Sequence, residues 1–314
     1  MLTMATATGR HHMQSDYGPT IAAMEATGKF KVLQHIGCRN EFPAQPPGAD
    51  PLEGIIVDVE TTGLSASDDD IIQLGMLRFT YDSKTYAIYG VGSTFERLRK
   101  PFKSIPPEIT RLTGITNEQV ADEHIAPDEI SAFADSAKVF IAFNAEFDRK
   151  FCERLHPVFL ELPWACALSE IGWADEGFDG LKLRYLMYQF GLFHDAHNAL
   201  ADCYAVIELL ARRLPKSGAL GLMALSEASR RKRVRIMAVG SEFAAKDNLK
   251  ARGYKWHDGG NGDKFWWIDV EPEAVGAEID YVNTHASNHK TQIFRNDVTA
   301  HSRFSARPFV LNAP

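Results

Sequence analysis

Two kinds of apolar spacing alternate along the chain from residue 54. GIIVDVE (54–60) is a short β-branched run that ends in acids, and IIQLGMLRFTYD (71–82) is a second run, separated from it by the turn-forming stretch TTGLSASDDD. Together with YAIYGVGSTF (86–95) they predict three strands joined as a meander. PPEITRLTGITNEQV (106–120) is helical in pieces, AKVFIAFN (137–144) is a buried strand, and AEFDRKFCERL (145–155) follows it directly as an amphipathic helix. A further helix is expected in LKLRYLMYQFG (181–191). In HDAHNALADCYAVIELLARRL (194–214), Leu200, Cys203, Tyr204, Val206, Ile207 and Leu210 recur at the i, i+3, i+4, i+7 spacing of a helix packed on a core. Strands first and strand–helix alternation afterwards predict an α/β mixed sheet flanked by helices.

This patterned region is bracketed by two others. Residues 1–50 form a leader with a short helix in GPTIAAMEATG and a Pro/Gly linker in NEFPAQPPGAD. A second change falls at SEASRRKRVRIMAVG (226–240), which places a boundary near Ala219 to Arg230 and divides the chain into 1–50, 51–218 and 219–314. The length of 314 residues accommodates about two domains. No apolar run approaches the about 20 residues of a membrane span, and the first residues lack the order of a secretory signal. Cys38, Cys152, Cys166 and Cys203 stand far apart, against a disulfide framework or a structural zinc site. The expectation is a soluble cytoplasmic protein.

Charge is divided unevenly. The whole chain has 34 Lys and Arg against 41 Asp and Glu, a net −7, which excludes a wholly basic nucleic-acid coat. Residues 226–268 nevertheless carry ten basic residues against five acids. Tyr254, Trp256, Phe265, Trp266 and Trp267 are interleaved with them, and cations for phosphate beside flat rings for bases are what single-strand binding uses. Arg231, Lys232, Arg233, Lys255 and Trp256 are the candidate nucleic-acid contacts. The competing reading is a small α+β domain whose aromatics fill its own core.

Three groups of residues carry chemistry. Asp58 and Glu60 alternate at the end of an apolar strand, so both carboxylates lie on one face, where they repel unless a hard divalent cation sits between them. Asp148 lies in a first helical turn, where the helix dipole alone would justify an acid. His197 and Asp202 are five residues apart and would diverge by about 140° on one continuous helix, so His197 is expected just before the helix and Asp202 inside it. An unpaired carboxylate in an apolar helix stripe is costly.

DVETTGL (58–64), NAEFD (144–148) and HNALAD (197–202), with LTGIT (112–116) between the first two, resemble in order and spacing the DEDDh branch of the DnaQ-like 3′-5′ exonucleases, the family of proofreading subunits. The resemblance covers about residues 54–213. It implies an RNase H-like sheet and two divalent ions, Mg²⁺ or Mn²⁺, as cofactors. Asp58, Glu60 and Asp202 would hold one ion, and Asp58 with Asp148 the second. Two such ions, about 4 Å apart, can stabilise both the attacking and the leaving oxygen of a phosphodiester. His197 would be the general base, an imidazole being suited to this near neutral pH, and the product a nucleoside 5′-monophosphate. Thr61, Thr62, Gly63 and Leu64 would meet the terminal nucleotide, and Asn144, standing where many relatives have His, would join them in binding substrate. The KARGYKW…WW segment is similar to an accessory module appended to such enzymes. The expected partners are DNA 3′ ends, single-stranded or frayed, and a polymerase or repair protein. RNA trimming is the alternative substrate, and a catalytically silent binding subunit the alternative class.

Overall fold

Residues 17–37, 42–258, 264–288, 290–305, 307 and 311 are described by the computed structural model, and Cys38 and the start of the leader lie outside them. Ahead of the main sheet stand a helix, Gly18–Ala26, with no buried side chain, and a two-residue strand, β1 (Gln34–His35). The three apolar runs form β2 (Pro51–Thr61), β3 (Ile71–Asp82) and β4 (Ile88–Leu98), paired antiparallel as the expected meander. β5 (Phe140–Ala142) lies parallel to β2, and β6 (Trp164–Cys166) parallel to β5, giving the order β4-β3-β2-β5-β6. This is the mixed sheet flanked by helices that the spacing predicts, and the RNase H-like architecture that the resemblance implies. β7 (Leu192–Phe193) stands outside the sheet and pairs in parallel with β1.

The pleat sends alternate residues to two cores. Ile56, Leu77 and Phe79 pack with Cys203, Val206, Ile207 and Leu210 of the helix Ala199–Leu210. On the other face, Ile55, Val57, Leu74 and Met76 pack with Phe151 and Cys152 of the helix Ala145–Leu155. Trp164 and Trp173 are core residues, 0% and 1% exposed, and their indole N–H groups donate to the Phe159 and Ala167 carbonyls. Cys152, Cys166 and Cys203 are buried free thiols. Among the described residues no helix is long and apolar enough to cross a membrane.

A second, antiparallel sheet follows: β8 (Arg233–Val239), β9 (Lys255–Asp258), β10 (Lys264–Val270) and β11 (Gln292–Val298), in the order β11-β8-β10-β9. Leu249 and Val282, from the helices Lys246–Arg252 and Val275–His285, close its small core with Tyr254 and Trp266. The helix Gly221–Arg230, over the compositional change, contributes Leu222 and Leu225 to the larger core of the first sheet. After β11 the chain returns to the first sheet. The Ala300 carbonyl accepts from Trp164 N, and Arg149, 0% exposed, donates to the Ala300, His301 and Arg303 carbonyls at 2.7–3.1 Å. Arg303 pairs with Glu170.

Candidate active site

β2 carries Asp58 and Glu60 on the same side as Ile56, facing the helix Ala199–Leu210 that bears Asp202. One carboxylate oxygen from each of the three lies within 4.8 Å of the others. The helix comes this close because Gly75 stands opposite Asp58 on β3: a Cβ there would lie 2.5 Å from the Ala199 carbonyl carbon. Its first turn is pinned by side chains. Gln73 Oε1 accepts from Ala199 N at 3.0 Å, Gln73 and Asn198 both donate to Glu96, and Asn198 caps the helix by accepting from Ala201 N. His197 precedes that cap in the left-handed region, φ 69°, which keeps it off the helix as its spacing to Asp202 required. Its imidazole makes no hydrogen bond or ion pair among the described residues.

Asp148 enters from the other side of the sheet, in the first turn of Ala145–Leu155. It is 3% exposed and accepts from Val59 N at 3.1 Å, which ties it to the strand segment between Asp58 and Glu60. Burial, then the charges of Asp202 and Asp148, push Glu60 up to about 8. Burial also raises Asp148 to about 7 against the lowering effect of its backbone hydrogen bonds. Asp58 is raised well above the usual carboxylate range by burial and by its three acidic neighbours. No Lys or Arg among the described residues forms an ion pair with any of the four. An all-oxygen cluster of mutually repelling, poorly solvated acids is the donor set that hard divalent cations take.

The turn after β2 is built inward. Thr61 and Thr62 are 7% and 2% exposed, with Thr61 Oγ1 donating to the Gly63 carbonyl and Thr62 Oγ1 to Asp69. Asp69, which the sequence reading passed over, also accepts from Ser65 N at 2.9 Å and from Lys103 at 2.6 Å. A Cβ on Gly63 would lie 2.5 Å from its carboxylate, so any larger residue here would have to displace Asp69 from these bonds. Leu64 is left 87% exposed at the tip. Asn144 is exposed and its carbonyl accepts from Phe147 N and Asp148 N, starting the helix. A second residue passed over is His194, whose Nε2 lies 2.7 Å from Asp202 Oδ1. Its motif position could be read from HDAHNALAD, but nothing in that string says that it turns towards the acid.

Arg231, Arg233, Lys255 and Trp256 line one cleft of about 1040 Å³ between the two sheets; Lys232 is exposed and does not line it. Arg233 pairs with Glu271 at 2.8 Å and Lys255 with Glu146. Arg231 makes no ion pair among the described residues. Trp256 is 50% exposed, whereas Trp266 is core. Glu146 and Lys150 also line the cleft, each about 160° around their helix from Asp148, so that helix stands between the cleft and the carboxylates.

The family described as Exonuclease (RNase_T) matches residues 55–210. DNA polymerase III subunit epsilon of Treponema pallidum (strain Nichols) is 31% identical over 162 residues, 48% of this chain and 72% of that protein. The 3′-5′ exonuclease DinG of Bacillus subtilis (strain 168) is 33% identical over 157 residues, 47% of this chain and 16% of that protein. Among solved structures, Exonuclease X in complex with 5′ overhanging duplex DNA is 22% identical with a TM-score of 0.42, covering 55% of this chain and 98% of that one. The matches to the two relatives and to the family thus extend over about half of the chain.

Proposed function

Because this chain belongs to the 3′-5′ exonuclease family that includes the epsilon subunit of DNA polymerase III, we propose that it removes nucleoside 5′-monophosphates from single-stranded or frayed DNA 3′ ends, using two divalent ions and His197 as general base. The observation that carries this reading is the meeting of Asp58, Glu60 and Asp202 within 4.8 Å, with Asp148 closing the cluster from a third segment. Asp58, Glu60 and Asp202 would hold one ion, and Asp58 with Asp148 the other. Bound divalent cations supply Lewis acidity at the attacking and leaving oxygens of an in-line displacement. The rest falls to the chain's own groups. His197, its imidazole uncommitted and its backbone fixed ahead of the Asn198 cap, accepts the proton of the attacking water. Leu64, held out at the tip of the Thr62–Asp69 turn, wedges against the terminal base, and the backbone around Gly63 faces its sugar. The cleft between the sheets grips the strand upstream of the reacting end, through Arg231 for phosphate and Trp256 for a base. DNA is favoured over RNA by the relatives' named role, and a polymerase or repair protein is the partner this role suggests.

The test is a time course on matched single-stranded DNA, duplex DNA and RNA carrying a 3′ label, in Mg²⁺, in Mn²⁺ and in chelator. Labelled mononucleotide should appear first from single-stranded DNA and not at all in chelator. Asp58→Ala and His197→Ala should each abolish release while the protein stays folded. Full activity in either variant refutes the mechanism, and faster release from RNA reverses the substrate assignment.

A further inference from the structure

His194 sits between β7 and the helix Ala199–Leu210. Its side chain is 1% exposed, and its Nε2 lies 2.7 Å from Asp202 Oδ1. A carboxylate can only accept, so Nε2–H is the donor. His194 Nδ1 is buried and has no partner among the described residues, so this bond is what orients the ring. The second Asp202 oxygen receives His197 N at 3.4 Å, a long contact that cannot hold the group by itself. Asp202 meanwhile stands beside Asp58 and Glu60, and the three repel one another when ionised. Without a strong donor behind it, rotation away from those acids would relieve the repulsion and break up the cluster.

The ring is held from outside the main sheet. β7 runs parallel to β1, with Gln34 N donating to the Gly191 carbonyl at 2.8 Å and Ile36 N to the Phe193 carbonyl at 2.9 Å. The His35 ring meets Phe193 edge-on at 5.0 Å, and His35 Nε2 lies 3.5 Å from Asp195. The segment ahead of the catalytic sheet therefore straps down the loop that carries both histidines. Of the two, His197 leaves its imidazole free for a reacting group. His194 has its one donor committed and no exposed edge.

We propose that His194 is a positioning residue for divalent-ion binding: its Nε2–H fixes the Asp202 carboxylate in the orientation that completes the site with Asp58 and Glu60, and the β1 strap fixes His194. This rests on the metal-dependent reading above. Donors behind metal-ligating groups typically change affinity by about 10–100-fold.

The experiment is calorimetric titration of the full chain with Mn²⁺, comparing wild type, Asp58→Ala, His194→Asn and His194→Gln, with the metal-free thermal midpoint of each variant as the check on folding. The two amides are chemically alike, but glutamine places its N–H near the position of Nε2 whereas asparagine falls short. His194→Asn should bind Mn²⁺ about 10–100-fold more weakly, and His194→Gln should stay close to wild type. The Mn²⁺ concentration giving half-maximal kcat should rise in parallel for asparagine alone. Wild-type affinity in both amide variants, or an equal loss in both, overturns the positioning role while leaving the metal site intact. Asp58→Ala that binds like wild type removes the metal-site reading itself, and this inference with it.

Discussion

Burial and neighbouring acids keep protons on Glu60 up to about 8 and on Asp148 up to about 7, against ordinary values of 4.5 and 3.8. A carboxyl whose folded value lies above its unfolded one binds protons preferentially in the native state. The stability it contributes is full in acid and is lost as the pH rises through the folded value. In chelator the thermal midpoint should therefore fall as pH rises through 7 and 8, and added Mg²⁺ or Mn²⁺ should reverse the fall by replacing protons as the counter-charge. A midpoint that stays flat across this range in chelator would contradict the description of the site. These acids could be found in the sequence because the chemistry itself demands carboxylates at fixed spacings: Asp58 and Glu60 at strand period, His197 five residues before Asp202. Asp69 and His194 could not be found that way. Asp69 works by receiving Thr62, Ser65 and Lys103 around one carboxylate, and His194 by a ring orientation set from β1; neither relation leaves a spacing in the chain.

Gly75 decides how two elements meet. The N-terminus of the helix Ala199–Leu210 lies directly on β3 at this glycine, and a methyl group there would meet Ala199 and Leu200 backbone at 2.5–2.8 Å. Backbone cannot rotate aside as a flexible side chain can, so Gly75→Ala should push the helix away and carry Asp202 off Asp58 and Glu60. The expected result is a stability loss of about 1–3 kcal/mol, typical of overpacking, in denaturant titrations, with a larger proportional loss of kcat. Unaltered kcat at reduced stability would mean that the helix yields without moving its acid. At this scale the sequence was most informative where periodicity runs long. The runs 71–82 and 145–155 are strand and helix over those same residues, and the gap from His197 to Asp202 placed the helix start. β1 and β7 went unread because two residues cannot display a period, although their pairing supports the catalytic loop.

The second sheet is joined to the first from both of its ends. Leu222 and Leu225 enter the first core just before it, and the Ala300–Arg303 carbonyls satisfy buried Arg149 just after it, one residue from Asp148. Removing residues beyond 226 would leave a buried guanidinium without most of its acceptors, so a truncated chain would report on that loss and not on substrate grip. No pattern could announce this arrangement, since the tail contributes backbone carbonyls, which every sequence has. Point substitutions in the cleft are the clean probe. The overall charge of −7 disfavours long-range attraction to a polyanion, so any grip by this cleft must come from short-range contacts such as Arg231 and Trp256. Arg231→Ala should weaken binding of a long single strand and lower the slope of log affinity against log salt by about 0.7, one phosphate contact's share on single strands. Trp256→Ala should weaken it by about 1–3 kcal/mol with the slope unchanged, because stacking releases no counterions. Both should leave kcat on a dinucleotide untouched, because the helix bearing Asp148 separates the cleft from the reacting end. If neither substitution alters long-strand affinity, the aromatics and cations of this unit serve its own packing, and the strand leaves the active site by another face.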